Sequence, residues 1–318
     1  MLKTRVTEKL GIKYPIVVGT MMHISNPTFV AAASEAGCLG VLASAMYKSK
    51  EDLRNAVLQV HSLTKKPFAV NLNLFPARVP VDNVSYVELL IDAGIRIFET
   101  SGFGIPDELV PLLTRADVTW VHKCVGLRYA RKAASLGADM VTVVGYENGG
   151  ATGKLDIGSF VLIPTVARSL DIPVIGGGGV INGRGLVAAL ALGAEAVIMG
   201  TAFLVAEECP IHINLKKTLL EAKETDTTLI LKSMGNTHRV WKNQMAEEIM
   251  QLEINAAPPE AVISAASGEN DLMMYQTGDI AKGTISCGQG VGMINEIKPL
   301  KNIVDDIIGE AELVIKGL

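Results

Sequence analysis

Two glycine clusters and one lysine are the residues best placed to do chemistry. Gly176 to Gly179 follow the apolar run Ile172 to Ile175, and Gly200-Thr201 follow a second run, Ala196 to Met199. Between them lies a helix-like segment, Gly183 to Leu192, closed by Gly193. The order is strand, glycine loop, helix, strand, glycine loop. Without a Cβ, glycine lets backbone N–H groups come close to a ligand, and such groups on a loop backed by a helix start form a phosphate site. Either loop alone reads as a tight αβ turn. Two in succession, 24 residues apart from Gly176 to Gly200, point to a phosphate. Lys123 stands in Trp120-Val121-His122-Lys123-Cys124, otherwise a barrel-type strand. An ammonium at a strand's C-terminal end is costly unless an anion meets it, the alternative being a side chain that snorkels to solvent. His122 and Lys123 alternate, so one faces the interior and the other the helix layer; an inward Lys123 makes His122 structural. Asn71, within PFAVNLNL, needs a partner, because an unsatisfied buried amide costs about 1–3 kcal/mol. Neighbouring backbone is the plain alternative to a ligand.

The elements that must position these residues alternate along the chain. Strands are predicted at Pro15–Thr20, Leu39–Ser44, Phe68–Leu74, Ile95–Gly102, Thr119–Cys124, Met140–Tyr146, Ile172–Gly176 and Ala196–Thr201. Short continuous apolar runs are the pattern of parallel strands buried on both faces. Helices are predicted at Asn26–Ala36, Lys50–Leu63, Leu127–Leu136 and Leu186–Leu192. Gly37, Gly94, Gly137 and Gly193 punctuate helix ends as left-handed C′ caps, each just before an apolar strand. This repetition predicts a (β/α)8 TIM barrel, in which phosphates sit on the loops after strands seven and eight. A doubly wound sheet is the runner-up, but PIVVGTMM after the first strand carries no GxGxxG.

After Phe203 the pattern changes. Residues from Cys209 to about Gly278 read as polar amphipathic helices with no clear strands, interrupted by Pro258-Pro259. The expected division is a barrel over 1–208, a small helical subdomain inserted after strand eight over 209–287, and a C-terminal segment, 288–318. Its helix, Ile297–Ile315, returns either to the barrel or to the subdomain; the division takes it to the barrel. With 318 residues, 49% apolar and 19% charged, the chain buries a large core. A net charge of −4 and a pI near 5.8 leave no basic surface for nucleic acid. No apolar stretch of membrane-spanning length and no signal-peptide core is present, and Cys38, Cys124, Cys209 and Cys287 form no metal-ligand pattern. The expectation is a reduced, cytoplasmic protein acting on a small molecule, without a metal, with a homodimer left open.

In order along the chain, PIVVGTMM, PFAVNLNL, VHKC, YENGGATG, the glycine loops, ECPIH and YQTGD…SCGQGVGMI resemble the FMN-dependent family of nitronate monooxygenases, also called 2-nitropropane dioxygenases. That family includes NAD(P)H:quinone reductases and flavin-type enoyl-ACP reductases; VHKC, GRGLVAALALGA and ECPIH are most similar to the bacterial NADH:quinone reductase branch. The resemblance implies FMN across the C-terminal mouth of the barrel. Its phosphate would be held by Gly178, Gly179, Gly200 and Thr201. Gly19, Thr20 and Met21 would line the isoalloxazine with Gly149 and Gly150, and Asn71 would bond its polar edge. Gln276 and the stretch from Ser286 to Gln289 would close over the dimethylbenzene side. Lys123 would sit near N1 and C2=O and stabilise the anionic reduced form.

One position departs from the family. The loop after strand six generally reads Gly-Gly-His-x-Gly, its His being the candidate base near the flavin N5; here Ala151 stands there. A nitronate is already deprotonated, whereas a neutral nitroalkane needs a base. His23 is a candidate replacement imidazole, with an exposed or capping role as the alternative. Tyr146 and Glu147 are further proton-donor candidates, Tyr146 ranked low as a residue buried in its strand. Cys124 reads as a small hydrophobe, Cys209 to His212 as a hinge, and His238 as a helix-capping or pairing residue. The expected function is therefore an FMN-dependent oxidoreductase in which NADH or NADPH reduces FMN, which reduces a quinone or an activated alkene such as an enoyl thioester. The alternatives are a nitronate monooxygenase using O2 and a non-catalytic flavin-binding protein.

Overall fold

The computed structural model describes residues 2–74, 82–102 and 104–318. Its strands are β1 (Ile16–Val18), β2 (Gly40–Ala43), β3 (Phe68–Asn73), β4 (Ile97–Ser101), β5 (Thr119–Cys124), β6 (Met140–Val144), β7 (Gly150–Ala151), β8 (Val174–Gly177), β9 (Ala196–Met199), β10 (Thr227–Ile230) and β11 (His238–Trp241). Eight of them form a parallel sheet in the order β1-β9-β8-β6-β5-β4-β3-β2. A parallel bridge between Val17 and Leu39 joins the two edges, so the sheet closes into a (β/α)8 TIM barrel.

Alternation within apolar strands decides which side chains fill the barrel. Val17, Val41, Ala69, Ile97, Val121, Met140, Ile175 and Ile198 cluster inside, and Val6 and Leu10 of the helix Arg5–Leu10 join them. Their neighbours Val70, Phe98, Trp120, Val141 and Val143 pack instead against the surrounding helices. Gly37, Gly94, Gly137 and Gly193 all have positive φ, as their cap positions require.

The segment after the barrel is not purely helical. β10 and β11 form an antiparallel hairpin, and β11 also pairs with β7, which belongs to the loop after β6. Strand polarity hid them: Thr227, Thr228, His238 and Arg239 supply no apolar run. The hairpin carries its own small core, Ile230 and Val240 against Ala246, Ile249 and Val262. The last helix, Leu300–Gly317, packs on the helices Gly183–Ala191 and Pro27–Glu35, which places it on the barrel. Among the described residues, no helix is long and apolar enough to cross a membrane.

Candidate functional site

At the C-terminal mouth, three polar side chains meet on one carboxylate. Glu99 lies on β4, 2% exposed, in register with Asn71 of β3; one residue pair further on, Ser101 faces Lys123 of β5. Glu99 Oε1 accepts from Thr20 Oγ1 at 2.6 Å, Asn71 Nδ2 at 2.7 Å and Lys123 Nζ at 3.1 Å. Asn71 Nδ2 also lies 3.2 Å from Ser101 Oγ. Lys123 thus points inward, paired with a buried anion that also receives two neutral donors, the arrangement a buried ion pair needs to be tolerated. Glu99 went unrecognised because it sits inside an apolar strand candidate; its signal was the same as that of Lys123, a charge where a barrel strand should be apolar.

His122, the alternate residue, faces the helix layer. Trp120 Nε1 donates to Thr100 Oγ1 at 2.8 Å, leaving the Thr100 hydroxyl for His122 Nδ1 at 2.8 Å. Burial pushes His122 down to about 4, so it is a neutral structural residue.

The glycine loops lie beside this cluster. Gly178 and Gly179 are both left-handed, at φ 95° and 73°, and a Cβ on Gly178 would lie 2.6 Å from Ser159 Oγ. Ser159 Oγ is within 2.8 Å of the Gly177 carbonyl and 2.9 Å of the Gly178 carbonyl, which pins the turn. Among the described residues, the N–H groups of Gly178, Gly179, Gly200 and Thr201 meet no protein acceptor. Four unpaired amides on adjacent loops are free to bond an anion, so the residues present fit a phosphate-bearing cofactor. The loop after β1 is adjacent: Gly19 N–H donates to Met199 O at 2.8 Å, and the Met21 sulfur sits 3.5 Å from where a Gly200 Cβ would stand. Thr201 Oγ1 accepts from Gly288 N–H at 2.8 Å, and a Cβ on Gly149 would lie 2.6 Å from Cys287 C. The stretch 286–289 therefore closes against the loop after β6, where Gly150 takes φ 78°.

Other expected residues lie elsewhere. Gln276 is exposed on the helix Gly268–Thr277. His23, at φ 62°, turns Nε2 against Gly268, where it is buried without a hydrogen-bond partner and burial lowers its pKa; no hydrogen bond joins it to the Glu99 cluster among the described residues. Tyr146 is not buried in a strand: β6 ends at Val144, and the half-buried phenol ring lies 4.5 Å from the Arg239 guanidinium. Glu147 accepts from Ser159 N–H at 3.0 Å and anchors the helix Ser159–Ala167. His212 Nδ1 caps the helix Ile213–Glu221 through Asn214 N–H, and buried Cys209 is pushed up to about 11, so the two form no nucleophilic pair. Cys124 is likewise buried and pushed up to about 12. His238 is on β11, not on a helix, and its register partner is Ala151.

The fold and this mouth define a class: a (β/α)8 barrel with a cradle of unpaired glycine-loop amides after its seventh and eighth strands and an inward lysine at the same mouth. The chain belongs to the nitronate monooxygenase family, whose model matches residues 3–310, and is an oxidoreductase. It is 31% identical to a "(3aS,4S,5R,7aS)-5-hydroxy-7a-methyl-1-oxo-octahydro-1H-indene-4-carboxyl-CoA dehydrogenase" of Rhodococcus jostii (strain RHA1), over 98% of this chain and 96% of that one. FabK from Thermotoga maritima superposes with a TM-score of 0.92 at 33% identity, covering 100% of this chain and 98% of the other. Nitroalkane oxidase from Streptomyces ansochromogenes gives 0.83 at 26% identity, covering 98% and 99%.

Proposed function

We propose that this protein is an FMN-dependent reductase that takes a hydride from NADH or NADPH and passes it to an activated alkene held as a thioester, or to a quinone. The observation that carries the reading is the joining, at one mouth, of an inward Lys123–Glu99 pair with four unpaired backbone amides. Similarity to a carboxyl-CoA dehydrogenase over nearly the whole chain favours a thioester as acceptor.

Gly178, Gly179, Gly200 and Thr201 would hold the phosphate, with Gly19, Thr20, Met21, Gly149 and Gly150 along the ring system. When bound, FMN supplies hydride acceptance and donation. Lys123 would hold a positive charge beside the bound group, where it would offset negative charge that the group gains. Glu99 fixes the ammonium, and Asn71 and Thr20 fix Glu99, so the cation is preorganised at no cost during turnover.

The second reading is nitronate oxidation with O2, favoured by the family match and by the likeness to nitroalkane oxidase. Ala151 removes the imidazole from the loop after β6, and a nitronate, unlike a nitroalkane, needs no base. Anaerobic mixing of the FMN-loaded protein with NADH, NADPH or propyl-2-nitronate separates the two. Rapid bleaching at 450 nm by a pyridine nucleotide is expected; bleaching by the nitronate alone would overturn the reductase reading.

A further inference from the structure

The segment inserted after the barrel sets one imidazole on the loop that leaves β6. β7 carries Gly150 and Ala151 in the loop that leaves the end of β6, and this loop reaches β5: a Cβ on Gly153 would lie 2.7 Å from Val125 Cγ2, two residues beyond Lys123. β11 pairs antiparallel with β7, with His238 opposite Ala151 and Arg239 opposite Gly150. Thr152 N–H continues the ladder to Thr237 O at 3.1 Å. Directly opposed residues share a face, with Cβ atoms about 4.5–5.5 Å apart, so the imidazole stands over the methyl of Ala151.

Two features fix it there. Arg239, 3% exposed, points to the other face, donates to Tyr146 O through Nε at 3.1 Å and Nη2 at 3.0 Å, and reaches Thr227 Oγ1 at 3.0 Å. A one-residue slip of β11 would tear this anchor out, so the register is locked. The Asn236 carbonyl accepts from His238 Nδ1 at 2.8 Å, which sets the tautomer and leaves Nε2 with no hydrogen-bond partner among the described residues. This is an oriented imidazole with one nitrogen uncommitted among the described residues.

Resting on the reductase reading above, we infer that His238 is the catalytic residue that protonates the α-carbon of an α,β-unsaturated thioester. Hydride, originating from the pyridine nucleotide, bonds to the β-carbon; the alkene π pair moves to the α-carbon as an enolate. The α-carbon then takes the proton from Nε2–H of the imidazolium, one C–H bond forming as the N–H bond breaks, and solvent reprotonates the ring. A saturated thioester and oxidised NAD(P) are the products. Quinone oxygens take protons from water, so quinone turnover does not need His238.

The test separates the half-reactions by anaerobic stopped flow, with crotonyl-pantetheine as the thioester probe. In H238A and H238Q, reduction by NADH or NADPH should stay within about twofold of wild type, as should reoxidation by a quinone, while reoxidation by crotonyl-pantetheine slows by about 100-fold or more. In H238A, a second change, Ala151→His, should recover at least about tenfold by restoring the imidazole from the facing strand. Independently of turnover, butyryl-pantetheine added to oxidised wild-type protein should shift the ¹⁵N signal of His238 Nε2. Unaltered thioester reoxidation in both variants, or an unmoved ¹⁵N signal, overturns the inference and leaves the reductase reading standing. A wild-type flavin that neither nucleotide reduces overturns both. Loss of nitroethane oxidation in H238A, with no thioester turnover in wild type, would make the imidazole a base and likewise overturn the inference.

Discussion

Removing the ammonium of Lys123 would leave Glu99, 2% exposed, as a buried carboxylate facing only the neutral donors Thr20 and Asn71. Lys123→Met keeps the aliphatic stem and deletes the charge, so it should cost about 3 kcal/mol of unfolding free energy, measured in urea on the FMN-free protein. Glu99→Gln in the same chain removes the stranded charge and should recover more than half of that loss. Strict additivity of the two substitutions would mean that the pair is uncoupled and that Lys123 answers to another anion. This cluster was half legible in the sequence. Lys123 and Asn71 stood out as polar residues in apolar strands, and Thr20 followed from the family resemblance. Glu99 carries the same signal, yet its role depends on three strands lying side by side, a contact that no local spacing encodes. His238 shows the same limit: only the pairing of β11 with β7 brings it opposite Ala151.

At the level of elements, the eight barrel strands were readable because each is an apolar run ended by a glycine or polar punctuation. The hairpin was not, since its polar residues come in adjacent pairs, Thr227-Thr228 and His238-Arg239, and leave neither an apolar run nor a clean alternation. Two titratable residues, one on a helix and one on a barrel strand, give a pH prediction with opposing signs. Asp271, on the helix Gly268–Thr277, is raised from 3.8 to about 6 by burial, although Thr284 N–H and Oγ1 bond to it at 2.7 and 3.0 Å. As pH rises from 4 to 6 the unfolded chain loses that proton first, so this residue makes stability fall with rising pH. His122, on β5, is lowered from 6.5 to about 4 by burial. As pH falls from 6.5 to 4 the unfolded chain gains its proton first, so this residue makes stability rise with pH over the same window. Each effect is about 3 kcal/mol, and they offset. Urea midpoints of the wild type should therefore vary little from these two sources between pH 4 and 6. Asp271→Asn, which keeps an acceptor for Thr284, should unmask a stability that climbs with pH; His122→Asn should unmask one that declines. Parallel slopes in the two variants would refute the assignment.

For the whole molecule, the last helix decides whether the cradle is held from behind. Leu300, Ile303, Val304, Ile307, Ile308 and Ala311 form its buried stripe, and it lies on the helix Gly183–Ala191, which begins just after Gly178 and Gly179. Glu310 Oε2 accepts from Gly183 N–H at 2.8 Å, and its other oxygen pairs with Arg184 at 3.2 Å, so the C-terminal helix caps the start of its neighbour. The contact is close because position 183 has no side chain: a Cβ there would run into the Ala311 N–H and the Ile307 carbonyl, and would stand 2.8 Å from Glu310 Cβ. Gly309, one residue before that glutamate, has nothing within 4 Å of the same imagined atom. Intrinsic propensity favours alanine over glycine in both helices, by about 1 kcal/mol. Gly309→Ala should accordingly stabilise by about 0.5–1 kcal/mol and leave FMN affinity unchanged. Gly183→Ala should reverse sign, because backbone cannot yield as a flexible side chain would; overpacking of this kind costs about 1–3 kcal/mol. Since the displaced helix start adjoins Gly178 and Gly179, Gly183→Ala should also weaken FMN binding, read as release of flavin fluorescence on dilution. Equal stabilisation by both substitutions would show that the C-terminal helix does not support the cradle.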